Sequence, residues 1–129
     1  GLRKATEVTP AGRLRNELKI SPHNLRLVQE AMRDDVTPEG TGKAAAVPGW
    51  QICGKTGTAD SKTARTTWFV SYAPFDSPRY AVVAMVESGD SGGGTCAPIV
   101  RRVYEALQKR EQNTNTRLTG TSLVLNPNY

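Results

Sequence analysis

Seven consecutive residues, Tyr80-Ala81-Val82-Val83-Ala84-Met85-Val86, are apolar on both alternating faces. Successive side chains of a strand point to opposite sides. A strand of this kind needs cover on both faces, so it reads as central rather than half-exposed. The stretch before it, Thr66-Thr67-Trp68-Phe69-Val70-Ser71-Tyr72, is rich in β-branched and aromatic residues and reads as a second strand. Pro74 to Pro78 between them reads as a turn. A third, shorter strand is expected over Gln51 to Ala59, with a turn or mobile loop at Asp60 to Ala64. Short connections join the three, which makes them an antiparallel meander.

Helices are expected on either side. Ser21-Pro22 supplies a hydroxyl N-cap and a proline at the first helical position. Leu25, Val28, Ala31 and Met32 then share one face, and Pro38 blocks continuation. Glu39-Gly40-Thr41-Gly42 is a loop. Ser88 to Gly94 is glycine-rich but matches neither G-x-x-x-x-G-K-[ST] nor G-x-G-x-x-G, so it reads as a flexible connection. Ile99, Val100, Val103, Tyr104 and Leu107 trace one face of a last helix, expected to lie across the meander. That helix is expected to end near Arg110, with Lys109 and Arg110 beside its negative C-terminal dipole. The fold class is therefore α+β. Residues 1–20 read as an extended lead-in with a short strand over Leu14 to Ile20. Residues 21–111 carry the packed elements. Residues 112–129 read as a flexible tail, in which Leu123-Val124-Leu125 is a candidate short strand.

Composition narrows the function classes. At 129 residues the chain suits one domain, and with 37% hydrophobic and 6% aromatic residues its core is thin. No apolar run approaches the roughly 18 residues of a membrane span, and no N-terminal signal segment is evident. The net charge of +5 is spread out, with no basic run longer than two residues. A solvated basic surface is expected, and no nucleic-acid partner. Cys53 and Cys96 form no C-x-x-C pair and have no histidine cluster; the single His23 reads as a surface residue. Buried free thiols are expected, with no metal site and no cofactor.

The chemistry concentrates in Gly54-Lys55-Thr56-Gly57-Thr58-Ala59. Within one strand, Lys55 and Gly57 face one way and Thr56 and Thr58 the other. Gly57 is expected to leave room for a ligand to approach the backbone. A strand edge with free N–H groups, hydroxyls and an ammonium suits an anionic, peptide-like ligand. K-T-G is also one of the three signatures of penicillin-binding proteins and serine β-lactamases.

The flanks extend the resemblance. G-K-T-G-T-A at Gly54 to Ala59, Trp68-Phe69-Val70-Ser71-Tyr72-Ala73-Pro74, and Pro78 to Glu87 resemble consecutive strands of a penicillin-binding protein transpeptidase domain. Gly93-Gly94 through Ala97-Pro98-Ile99 is similar to the start of its final helix, and Gly40-Thr41-Gly42 to an earlier G-T-[AG] turn. Over residues 21–110 the chain thus resembles the C-terminal part of a class B enzyme, elongation type, similar to penicillin-binding protein 2. The resemblance implies part of a β-lactamase/transpeptidase-like fold. It implies that peptidoglycan stem peptides are the substrate and that β-lactams are the inhibitors, with the cell-wall elongation machinery as a further partner. It implies an envelope location on the outer side of the inner membrane, anchored by an N-terminal span outside this chain. Lys55 and Thr58 would be catalytic, and Lys55, Thr56, Gly57 and Thr58 would bind substrate. The Thr58 N–H would be one oxyanion donor. The alternative is a fragment of a penicillin-recognising sensor or a β-lactamase-like domain.

Departures exist: Cys53 stands where alanine is common, and Thr67 where a polar residue or histidine often precedes Trp-Phe. No serine begins S-x-x-K or S-x-N: the residues three after Ser21, Ser61, Ser71, Ser77, Ser88, Ser91 and Ser122 are Asn24, Ala64, Pro74, Tyr80, Ser91, Gly94 and Leu125. Exposed apolar surface beside Tyr80 to Val86 is expected where partner strands of a whole domain would sit, and such an edge invites self-association. The isolated chain should take up no fluorescent penicillin, because it lacks the nucleophile motif; a covalent adduct in intact-mass spectrometry would overturn this.

Overall fold

The computed structural model describes Glu17 and residues 19–120. Helix α1 (Pro22–Asp34) is followed by a 3₁₀ turn (Lys43–Ala45) and strands β1 (Cys53–Asp60), β2 (Arg65–Ala73) and β3 (Tyr80–Glu87). One π turn (Gly92–Cys96) then leads into helix α2 (Ala97–Gly120). Of the lead-in only Glu17, Lys19 and Ile20 are described, and Leu123 to Leu125 lies outside the described residues.

Helix α1 starts where its cap predicts. Ser21 Oγ accepts the Asn24 N–H at 3.2 Å and proline opens the helix. Its apolar side is not buried, and Val28 keeps 55% of its surface. Arg26 and Arg33 instead stack their guanidinium groups on the Phe75 ring, 4.6 and 4.9 Å from its centre.

The sheet is the expected meander, in order β1-β2-β3 with both pairs antiparallel. Register sets the two faces. Thr67, Phe69, Ser71 and Ala73 of β2 oppose Val86, Ala84, Val82 and Tyr80 of β3. This face carries the core, where Phe69 and Ala73 meet Val36, Ala45, Val47, Ile52, Cys96, Ala97, Val100 and Tyr104. Two of its members are polar and fully satisfied: Thr67 Oγ1 donates to Val86 O at 3.2 Å and Ser71 Oγ to Val82 O at 2.8 Å. Trp50 closes one end, stacked on Tyr80 at 5.7 Å and edge-on to Tyr104 at 6.2 Å.

Strand β3 departs from its expected central place. It is an edge strand among the described residues, and only alternate residues pack inward. Tyr80, Val82, Ala84 and Val86 lean on the core, whereas Val83 and Met85 keep 66% and 63% of their surface. The expected apolar exposure beside this strand is therefore present, because no described element covers that face at Val83 and Met85.

The cysteines are free and buried, as expected. Cys53 pairs in register with Tyr72, on the face opposite Thr67, whereas Cys96 Sγ lies 3.5 Å from Thr67 Oγ1 on the core face. The sheet separates them, so a disulfide is geometrically barred. Burial pushes the Cys53 thiol above its usual range.

Helix α2 differs most from expectation. It continues to Gly120, so the stretch expected to be flexible after residue 111 is helical to there, and Lys109 and Arg110 lie mid-helix rather than at its end. Its buried face is narrower than the periodicity suggested: Val100 and Tyr104 are buried, while Ile99 and Val103 are exposed. Polar bonds anchor the turn before the extension. Gln108 Nε2 donates to Pro48 O at 2.8 Å, and Glu111 accepts from Arg79 at 2.7 Å and from the Tyr80 hydroxyl at 2.6 Å. A weak period with no apolar stripe cannot reveal such links.

The Tyr80 hydroxyl, with Arg79 beside it, holds the Glu111 carboxyl below its usual range. A lowered folded value stabilises the fold above the unfolded value and is lost as pH falls through the folded one. Amide protection factors around Glu111, taken against the intrinsic rate at each pH, should therefore fall below about pH 4, and Glu111→Gln should remove that pH step. An unchanged step in the variant would overturn the assignment.

Candidate active site

The hairpin between β1 and β2 decides what the motif strand exposes. The Ser61 N–H donates to Ala64 O at 2.9 Å, and the register pairs Thr58 with Thr67 and Thr56 with Phe69. Hydrogen-bonded pairs alternate along an antiparallel ladder. The bonded positions on β1 are thus odd-numbered, and Thr56 and Thr58 turn their N–H and C=O groups to the edge that no described strand pairs. The Lys55 ammonium agrees with this, since it donates to Thr56 O at 3.0 Å.

A groove of about 740 Å³ opens on this edge, lined by Thr56 and Thr58 of β1, Glu39 to Thr41, and Ser91 to Gly94 among others. Thr56 and Thr58 share one side, as alternation predicts. Lys55 starts on the other face and bends round the free edge to reach Thr56 Oγ1 at 3.3 Å. Gly57 does something different from what its sequence reading implies. A Cβ there would run into the Trp68 indole, so that space is already filled and is not left for a ligand. Gly57 lets the tryptophan cross the neighbouring strand closely.

The glycine-rich segment is a structured turn, not the flexible connection its composition suggests. Ser91 Oγ accepts the Gly94 N–H at 2.9 Å, and Thr95 Oγ1 accepts the Asp90 N–H at 3.0 Å. Arg65 ties its start to the hairpin, pairing with Asp60 at 2.6 Å and donating to Asp90 O at 3.1 Å. Gly92 lies flat on β1: its added Cβ would stand 2.5 Å from Trp68 O, 2.8 Å from Gly57 O and 2.9 Å from Gly57 N. Its N–H reaches Thr58 Oγ1 at 3.4 Å. A π turn commonly marks a functional site, and here it forms one wall of the groove.

Asp35 and Thr41 are residues that the motif reading did not include. Thr41 Oγ1 donates to Asp35 Oδ1 at 2.6 Å and lies 2.7 Å from Thr56 Oγ1. The G-T-G turn was the available signal for Thr41. Asp35 carries no motif signal, since its link through Thr41 to Thr56, 21 positions on, is visible only after folding. The site thus combines an ammonium, a hydroxyl row and unpaired strand amides, a set suited to an anionic group and to a developing oxyanion.

Residues 4–105 match the family model described as penicillin binding protein transpeptidase domain. The chain belongs to that family. Peptidoglycan D,D-transpeptidase PbpA of Mycobacterium tuberculosis is 42% identical over 76 residues, which are 51% of this chain and 16% of that protein. The imipenem acyl-enzyme structure of penicillin-binding protein A from M. tuberculosis superposes with a TM-score of 0.57 at 35% identity, over 69% of this chain and 20% of that one. Pseudomonas aeruginosa PBP2 superposes with a TM-score of 0.61 at 34% identity, over 78% of this chain and 22% of that one. These relatives support the class B, penicillin-binding protein 2-like reading. This transpeptidase-domain chain spans only about 13–17% of the length of several curated relatives.

Gly92→Ala should cost about 1–3 kcal/mol or more in a denaturant melt, because its neighbours are backbone and cannot yield. Gly94→Ala should cost less, since its nearest neighbours are the Ser91 and Asp90 side chains. Equal costs would show that the close approach of Gly92 to β1 is not tight in solution.

Proposed function

We propose that this chain supplies the K-T-G-T strand of a peptidoglycan D,D-transpeptidase. The observation that carries the reading is the free edge of β1: Thr56 and Thr58 face the groove, and the Lys55 ammonium sits on the same edge. In the reaction, a serine hydroxyl attacks the peptide carbonyl before a terminal D-alanine. The C–N bond breaks, D-alanine leaves, and an acyl-serine remains. The amine of a second stem peptide then attacks that ester, forms the cross-link and releases the serine. This chain contains no S-x-x-K or S-x-N, so the nucleophile and second motif belong to other parts of the enzyme.

Each role follows from position. The Lys55 ammonium supplies positive potential at the strand edge and attracts the substrate carboxylate. The Thr58 N–H, unpaired on that edge, is an oxyanion donor, a contribution worth about 2.7–4 kcal/mol where such donors are removed. Thr58 Oγ1 faces the groove as a carboxylate partner. Gly57 acts indirectly, by allowing the Trp68 packing that holds β1 flat. β-Lactams occupy the same place as the stem peptide, in keeping with the imipenem acyl-enzyme of the mycobacterial relative. The apolar face at Val83 and Met85 would be covered by the rest of the domain, and the enzyme would work on the outer side of the inner membrane with the elongation machinery.

Labelled-penicillin uptake by the full-length protein that carries this chain tests the reading. Lys55→Ala should lower the acylation rate by about 100-fold or more, in line with the loss of a preorganised charge. Near-normal acylation in that variant would refute the role of Lys55.

A further inference from the structure

The hydroxyl row beside Lys55 has a definite direction. A threonine hydroxyl carries one hydrogen, and a carboxylate carries none. Thr41 gives its hydrogen to Asp35 Oδ1 at 2.6 Å. The 2.7 Å contact between Thr41 Oγ1 and Thr56 Oγ1 must then use the hydrogen of Thr56. Thr56 therefore has no hydrogen to offer the groove and turns a lone pair to the Lys55 ammonium, 3.3 Å away. A negative charge at one end and a positive charge at the other impose this order.

Asp35 is held so that it cannot turn away. It caps the C-terminus of α1, where its N–H bonds to Ala31 O at 3.1 Å and its carbonyl accepts the Gly42 N–H at 2.8 Å. Its second oxygen, Oδ2, is buried with no hydrogen-bond partner. A Cβ on Gly42 would stand 2.6 Å from that oxygen, so the glycine makes the space the carboxylate occupies. A buried, half-satisfied carboxylate is costly. Its satisfied oxygen is aimed at the row that ends on the motif lysine.

We propose that Asp35 and Thr41 are positioning residues for Lys55. The Asp35 carboxylate, acting through Thr41, sets the Thr56 hydroxyl to accept from the ammonium and leaves Thr58 as the hydroxyl donor to an anionic group in the groove. Thr58 suits that part, because its oxygen accepts the Gly92 N–H and its own hydrogen stays available. The inference rests on the transpeptidase reading of the groove.

The test measures penicillin acylation by the full-length protein, separating the rate at saturation from the constant for the initial complex. Melting temperatures are taken alongside. Thr41→Val should lower the saturating rate about tenfold, as loss of one ordering hydrogen bond implies, and leave the initial complex within about threefold. Thr41→Ser, which keeps the hydroxyl, should restore the rate to within about threefold of the unchanged protein. If Thr41→Val does not fold, Asp35→Ala decides, since it removes the acceptor that takes the Thr41 hydrogen and frees that hydrogen for Thr56. A loss of about tenfold there supports the proposal. Unchanged rates in whichever of these variants fold, with Lys55→Ala inactive, would overturn it alone. Full activity in Lys55→Ala would overturn the role of Lys55 and this inference together, whereas no acylation of the unchanged full-length protein would overturn the transpeptidase reading.

Discussion

Among the described residues strand β1 is hydrogen-bonded along one edge only, and most of the molecule's chemistry depends on that asymmetry. Its pairing with β2 is continuous from Cys53–Tyr72 to Asp60–Arg65. Because the ladder alternates, this pairing decides at once which side chains face the groove and which backbone groups are left free. A register slip of one residue would exchange Thr56 and Thr58 for Lys55 and Gly57 on the groove side. The hairpin end at Ser61 and Ala64, and the Arg65–Asp60 pair beside it, guard against that slip.

Glycines act here as contact surfaces. Gly54 faces the Phe69 ring, Gly57 faces the Trp68 indole and Gly92 lies against the β1 backbone. In each case a side chain would push two elements apart, and the groove wall would move with them. The same principle places the Asp35 carboxylate against Gly42. Buried polar groups on the core face are handled by a different device. Thr67 and Ser71 bond to carbonyls of β3, and Ser71 also meets the Tyr104 hydroxyl at 3.0 Å, which stitches α2 to the sheet without a purely apolar seam.

Much of this was legible in advance. The Ser21-Pro22 cap, the three strands and the existence of a last helix through Ile99 to Leu107 follow from local rules of capping, alternation and periodicity. So did the alternation that separates Lys55 from Thr56 and Thr58. Other features were not. Periodicity made Tyr80 to Val86 central, yet among the described residues it is an edge, because two apolar faces state a need for cover without showing that cover is present. Residues 112–120 look structureless by composition but continue a helix, which Glu111 anchors just before them on Arg79 and on Tyr80 of β3.

The sequence by itself determined the local vocabulary: which segments are strands, where the helices start, and which four residues carry the motif chemistry. These depend on neighbours a few positions apart, so they are written in spacing. Tertiary structure alone decided how that chemistry is arranged. Bending Lys55 round the strand edge, seating Trp68 on Gly57 and bringing Asp35 to Thr56 through Thr41 each need contacts between separate elements. Such contacts depend on which atoms the folded backbone brings within hydrogen-bond or van der Waals reach, and no linear pattern encodes that distance.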